Sequence, residues 1–452
     1  MRFLIENFGP VKEADILVKP LTVFTGPNAS GKSYVSYLLW CLSSTEPDFA
    51  ALVHRVPKLS KKDPSVEKLG EAAKKYLLEV FEEPELLYLN LEDHLKDAFT
   101  IDDIKLLVRT GAERFKFKIC SDREEREIGF EADDKGLTYT TKGLTEAIEK
   151  NLKIETRFFH RRASLEMLWN ERRIYVSRPQ ADPMSSIPYL IPPLCQRLLD
   201  GYYPYADTFI APDGRAGLMR AREPIVHEVF TARRPGSMNA VDRAFMGDIE
   251  ALDPRRKNKE TEELADFIEE MLNVEFQVRR GAPRYVVRMR KLEIPLQNAP
   301  SGYRESGPLV LILRHAEEET LFIEEPEAHL HPDAQIAMAR GLAGVSKRGT
   351  NTLMTTHSIY VLDEISNLLR LKNLPVQDKK ELGYKSWEGL APKDVAIYFF
   401  SRDGDVEPIK ILKDGLSESG LDKIILQMAN KHAEVERLLQ KKRRTQIAAK
   451  CT

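Results

Sequence analysis

The chain has 452 residues, 42% of them hydrophobic, and a formal charge of −2. That length holds one large domain or two to three ordinary ones, and the charge excludes a protein that coats nucleic acid over its whole surface, though not one with a local basic face. The four scattered cysteines (Cys41, Cys120, Cys195, Cys451) form no CxxC pair and no apolar run nears the ~20 residues of a bilayer span, which predicts a reducing, cytoplasmic setting, no zinc site and no membrane partner.

In chain order, strands are expected at residues 1–7, 15–18 and 21–25, separated by Gly and Pro. Early charges in MRFLIENFGPVKEADI leave no secretory apolar core. A glycine-rich turn leads into an apolar helix over 32–42. Residues 50–98 are charged and helix-like, with apolar positions three and four apart. Residues 115–119, 127–131 and 137–140 read as strands, and helical patterns return over 144–169 and 187–199. A charged loop, 253–263, precedes a helix over 263–272. From about residue 274 the pattern is strand, strand, helix, strand, helix, strand. An α/β fold follows, its core made from residues 1–45 and 205–415, with a mostly helical insertion carrying a small β element at 46–204 and a helical tail at 416–452.

GPNASGKS, made of Gly26, Pro27, Asn28, Ala29, Ser30, Gly31, Lys32 and Ser33, matches G-x-x-x-x-G-K-[ST] between an apolar strand and a helix, the context a phosphate loop needs. Gly26 and Gly31 let the backbone turn so that successive N–H groups point at phosphate, and the helix dipole adds to that site. Lys32 would reach the β- and γ-phosphates, and Ser33 would bind Mg2+.

TLFIEEPEAHLHP sets Glu324 and Glu325 after an apolar run of the kind buried on both faces. Carboxylates at the carboxyl end of a parallel strand lie beside the phosphate loop. Glu324 is placed to hold Mg2+, directly or through water, and Glu325 to orient and deprotonate the attacking water. Alone, such a pair is usually a solvated strand end; downstream of a phosphate loop that explanation loses. His329 and His331 lack the further ligands of a zinc site. Ser301-Gly302 precedes an apolar helix that Ser301 can cap, with Pro308 an awkward residue inside it. His357, just after the strand 351–356, would set an imidazole against a γ-phosphate, although a lone histidine is more often structural.

Taken in order, these pieces resemble the ABC ATPase superfamily, in the branch near the RecF, SMC and OLD-type proteins often labelled AAA family ATPases, over residues of about 1–45 and 205–415. The resemblance implies a P-loop NTPase core of ABC/SMC type with a mixed sheet, ATP and Mg2+ as ligands, and ATP hydrolysis. In its terms Gly26 to Ser33 are the Walker A loop, Glu324 and Glu325 the Walker B end and catalytic glutamate, and His357 the switch histidine. Ser301 and Gly302 resemble the signature that touches the γ-phosphate held by the opposite subunit, implying a homodimer or higher oligomer. APDGRAGL resembles a Pro/Arg loop of this branch and turns Arg215 toward phosphate. The chain departs from the family in having Glu at position 324 where Asp is commoner, SGYRE for LSGGQ, and no secure Q-loop; Gln180 is the candidate, a surface loop its competing reading.

Three biological classes then compete. One is an ATPase whose nucleotide-driven dimerisation gates a DNA-related process, in repair or phage defence, with a separate nuclease or other effector. Arg279, Arg280, Arg284, Arg288, Arg290 and Lys291, or residues 441–444, would supply its basic face. Another is a self-contained OLD-type nuclease, for which Asp403-Gly404-Asp405 would have to be the Asp-x-Asp motif; a hairpin turn explains it better. The last is a transporter ATPase subunit, against which the large insertion and the EEPEAHLHP wording speak.

Overall fold

Seventeen strands organise the described part of the chain: β1 (Arg2–Phe8), β2 (Val11–Leu17), β3 (Leu21–Thr25), β4 (Phe115–Cys120), β5 (Glu127–Asp133), β6 (Gly136–Lys142), β7 (Leu152–Phe159), β8 (Arg162–Trp169), β9 (Arg172–Ser177), β10 (Thr208–Ala211), β11 (Glu275–Val278), β12 (Tyr285–Met289), β13 (Leu292–Pro295), β14 (Thr320–Glu324), β15 (Asn351–Thr356), β16 (Val395–Phe400) and β17 (Asp405–Pro408), besides a two-stranded ladder near residue 411. The computed structural model describes all residues except 46, 56–65, 89, 122, 160–161, 171, 178–182, 200–206, 228–237, 283, 413–414, 418–426, 428 and 440–452.

Eleven strands make one mixed sheet in the order β10-β14-β15-β3-β16-β17-β2-β1-β4-β5-β6. Its first five are parallel to one another. A strand covered on both faces needs an unbroken apolar run, and β3 and β14 are buried at every residue. Alternation divides them: Leu21, Val23, Leu321 and Ile323 enter one core cluster, Phe24 and Phe322 the other. Each such side chain contributes roughly 1.5–3 kcal/mol on full burial.

The helix Lys32–Ser44 packs in the second cluster through Val35, Leu38, Leu39 and Trp40. On the opposite face lie the helices Glu262–Leu272, Ser301–His315, Pro332–Ser346 and Ile359–Leu371. The parallel strands therefore carry the phosphate-loop helix on one side and the later helices on the other.

The inserted region holds more strand than a mostly helical reading suggests. Its helices are Phe49–Arg55, Val66–Glu82, Leu91–Ala98, Leu144–Asn151 and Ile191–Leu198. β4 to β6, all anticipated, lengthen the core sheet at its antiparallel edge, while β7 to β9 form a separate sheet. The helix expected over 144–169 stops at Asn151, and β7 then pairs antiparallel with β8. LKIETRFF opens with apolar-polar alternation, a period of two that overrides the helical spacing. β16 and β17 form a hairpin with Gly404 at φ 92° in its turn, so Asp403-Gly404-Asp405 is turn chemistry.

Candidate functional site

β3 delivers the chain to the carboxyl edge of the parallel strands, where the backbone turns through Gly26 (φ 141°), Ala29 (φ 59°) and Gly31 (φ 100°). Position 26 requires glycine, since a Cβ there would stand 2.2 Å from the Phe400 carbonyl oxygen. Gly31 is the N-cap of the helix Lys32–Ser44, and no side chain caps it, so the first N–H groups stay available to an anion. Ser30 braces the loop by donating to the Pro27 carbonyl at 2.8 Å, with Asn28 and Ser33 on the exposed rim. Lys32 is buried, and its ammonium donates to the carbonyls of Gly26 (3.1 Å) and Pro27 (2.8 Å). Burial lowers its pKa; the carboxylates of Glu325, Glu324 and Glu327 act in the opposite direction.

Those carboxylates reach Lys32 because of strand register. Glu324 pairs with Thr355 and Thr355 with Phe24, so the end of β14 lies level with the end of β3, two strand spacings of ~4.8 Å away. Glu324 is 1% exposed, and burial raises its pKa. The Tyr37 hydroxyl, from the phosphate-loop helix, donates to its Oε2 at 2.7 Å, as does the Asp213 N–H at 3.4 Å. The Ser33 hydroxyl lies beside the same carboxylate and favours its charged form. Yet Oε1 of Glu324 finds no hydrogen-bond partner. An orphaned buried carboxylate oxygen next to a serine hydroxyl suits a hard cation that takes oxygen ligands, so Ser33 and Glu324 fit the Mg2+ that the fold implies.

Glu325 differs from its neighbour. Its φ of 41° lies in the left-handed region, a conformation costing on the order of 1–2 kcal/mol that persists where the surroundings enforce it. Here its N–H donates to the Thr355 carbonyl (3.1 Å) and hydroxyl (3.2 Å). Its Oε1 stands 3.6 Å from His357 Nε2, with both side chains about a third exposed. Burial and then Lys32 lower the His357 pKa, against the pull of Glu325.

Glu327, which the sequence reading passed over, organises this corner. Its buried Oε1 accepts from the Thr356 hydroxyl (2.6 Å) and from the N–H groups of His357 (2.9 Å) and Ser358 (3.2 Å). It thereby fixes the backbone that carries His357. The third acid of EEPE was the available signal.

Residues 222–362 match the AAA ATPase domain family. The match takes in the acidic strand, the helix Ser301–His315 and His357, and leaves the phosphate loop outside. Among solved structures the chain is similar to an SMC head bound to the C-winged helix domain of ScpA (12% identity, 90% of this chain and 96% of that one, TM-score 0.41). It is similar also to the SMC head domain from Thermotoga maritima (11% identity, 91% and 98%, TM-score 0.36). A further structure is an Smc head domain with an extended coiled coil, bound to the C-terminal domain of ScpA derived from Pyrococcus furiosus (10% identity, 95% and 98%, TM-score 0.38). No curated protein matches the chain. The phosphate loop between β3 and its helix and the order of the parallel strands make the core an α/β fold of P-loop NTPase type with a mixed sheet.

Ser301 is the first residue of its helix, not the cap: Pro300 occupies the N-cap at φ −51°, ψ 150°, and no side chain caps the helix. The helix runs through Pro308 to His315. Gly302 presses on the loop that follows the acidic strand, where an added Cβ would lie 2.8 Å from the His329 carbonyl oxygen. Among the described residues, no hydrogen bond joins Ser301 or Gly302 to the phosphate loop of the same chain.

Arg215 corrects an expectation. Instead of facing phosphate it is fully buried, donating to the carbonyls of Pro212 (2.6 Å), Glu324 (2.5 Å) and Glu325 (3.2 Å) and pairing with Glu305 at 3.2 Å. Desolvation lowers its pKa, opposed chiefly by Glu305 and Glu324.

Of the six basic residues around β11–β13, Arg279, Arg284 and Arg288 are internally matched, while Arg280, Arg290 and Lys291 are exposed. Arg279 pairs with Glu293 (2.8 Å), Arg288 with Glu275 (2.8 Å) and Glu293 (3.3 Å). Arg284 donates to the carbonyls of Glu250 (3.0 Å) and Leu252 (2.7 Å). Gln180 and residues 441–444 lie outside the described residues. Among the described residues no helix is long and apolar enough to cross a membrane.

Proposed function

We propose that this chain is a Mg2+-dependent ATP hydrolase of the ABC/OLD-like class, whose ATP-bound form is a homodimer or higher oligomer. What supports the hydrolase reading is one observation: the Lys32 ammonium lies within electrostatic reach of the Glu324 and Glu325 carboxylates, and the Ser33 hydroxyl lies beside Glu324. Lys32 and the loop N–H groups would bind the β- and γ-phosphates, and the curled lysine would exchange the Gly26 and Pro27 carbonyls for phosphate oxygens. Ser33 and Glu324 would hold Mg2+, which supplies charge neutralisation on the phosphate oxygens when bound. Glu325, held in a strained backbone and open to solvent, would orient the attacking water and take its proton. His357, 3.6 Å from Glu325, would donate toward the γ-phosphate. Ser301 and Gly302, apart from the phosphate loop of their own chain, would complete the site of a second copy.

The wider task we assign is gating a DNA-related process, in repair or phage defence, with a separate nuclease or other effector. Its support is the motif resemblance, because Arg279, Arg284 and Arg288 are spent on glutamates and carbonyls. The test of the chemistry is ATP binding by Lys32→Ala, read with a fluorescent ATP analogue. A fall in affinity of about 100-fold or more is expected; wild-type affinity would remove the phosphate-loop assignment.

A further inference from the structure

Among the described residues, the other deeply buried arginines are matched by carboxylates: Arg314 by Glu269 at 2.8 Å, and Arg340 by Glu388 at 2.6 and 2.7 Å. Arg215 is used differently. Nη1 donates to the carbonyls of Ala211 (3.3 Å), Pro212 (2.6 Å) and Glu324 (2.5 Å), and Nη2 to that of Glu325 (3.2 Å). Nε meets the Glu305 carbonyl at 3.4 Å and its carboxylate at 3.2 Å. Glu305 in turn accepts from the Ala216 N–H at 3.0 Å. One planar guanidinium therefore holds the backbone of both acidic residues at the end of β14, and its one carboxylate partner lies in the first turns of the helix that starts at Ser301.

This arrangement matters because of the Glu325 backbone. At φ 41° the residue needs restraint from both sides, and Thr355 restrains its N–H while Arg215 restrains its carbonyl. Released at the carbonyl, the peptide can relax to an ordinary conformation and carry the carboxylate away from His357. A lysine cannot substitute, since a single ammonium does not span carbonyls on two segments and a carboxylate on a third.

We propose that Arg215 and Glu305 are positioning residues for hydrolysis. They make the placement of the Glu325 carboxylate depend on the seating of the Ser301 helix, the element assigned above to the opposite nucleotide. The inference rests on the proposed function, and it predicts an effect on turnover separate from binding.

The test uses the full chain carrying Arg215→Lys or Glu305→Gln. Glutamine keeps the volume and the acceptor for Ala216 while removing the charge. Three quantities are measured: affinity for a fluorescent ATP analogue, steady-state ATP turnover, and thermal melting. In both variants affinity is expected to stay within about threefold of wild type while kcat falls about 10- to 100-fold with little change in KM. The double variant should be no slower than the slower single one, because the two act as a unit. If Arg215→Lys does not fold, Glu305→Gln decides. Undiminished kcat in both variants, beside an active wild type, would overturn the coupling alone. Parallel loss of affinity, turnover and cooperative melting in both would overturn it too, reducing the pair to a structural strut. A wild type that binds ATP without turning it over would bring down the proposed function and this coupling together.

Discussion

Glu324 and Glu325 are adjacent in sequence yet meet opposite surroundings, a contrast that suits the separate roles proposed for them. The first is sealed against Tyr37 and Ser33 with one oxygen unpartnered; the second is a third exposed and faces His357. Both were legible because each motif is contiguous and sits where a strand ends. Arg215, Glu305 and Glu327 were not legible as a set. Arg215 finds its glutamate 90 residues away, and no local pattern announces that pairing. Away from the phosphate loop, Asp248 offers a test of burial itself. Desolvation, with Glu318 beside it, pushes its pKa up to about 7. A carboxyl whose folded pKa exceeds its unfolded value of 3.8 adds stability that is present below about pH 4 and lost as pH rises through 7. Asp248→Asn should therefore stabilise the protein at pH 8 by roughly 1–3 kcal/mol and melt close to wild type near pH 4. Equal increments at both pH values would contradict the assignment.

At the scale of elements, the strand-loop-helix unit around Lys32 and the strands β14 and β15 follow directly from unbroken apolar runs. The misread stretch was 152–169, where Leu152 and Ile154 have spacings that suit either period and pairing with β8 decides. The Ser301 helix was found, but its cap was not, because Pro300 ends the extended approach one residue earlier. Gly302 gives this element a sharp test. Alanine is the better helix former by ~1 kcal/mol, so propensity alone predicts stabilisation. The 2.8 Å approach to a backbone oxygen predicts the reverse. Gly302→Ala should lose about 1–2 kcal/mol in urea unfolding; a stabilised variant would mean that the helix start does not press on the loop after β14.

For the whole molecule, the site exists because the two ends of the chain share one sheet. β3 lies between β15 and β16, which are encoded more than 300 residues later, and β2 is joined to the parallel centre through β17. The sequence order of the motifs revealed that both ends contribute. It did not reveal that β4 to β6 extend the same sheet, since edge pairing depends on contacts between separate hairpins. The central claim is that triphosphate and Mg2+ lie between the phosphate loop and Glu325. Its most direct test is steady-state ATP turnover by Glu325→Gln beside wild type, with Mg2+ present and oligomeric state followed by light scattering. The account predicts turnover lowered about 100-fold or more, ATP affinity retained, and accumulation of an ATP-bound dimer. Hydrolysis by Glu325→Gln at the wild-type rate would contradict it.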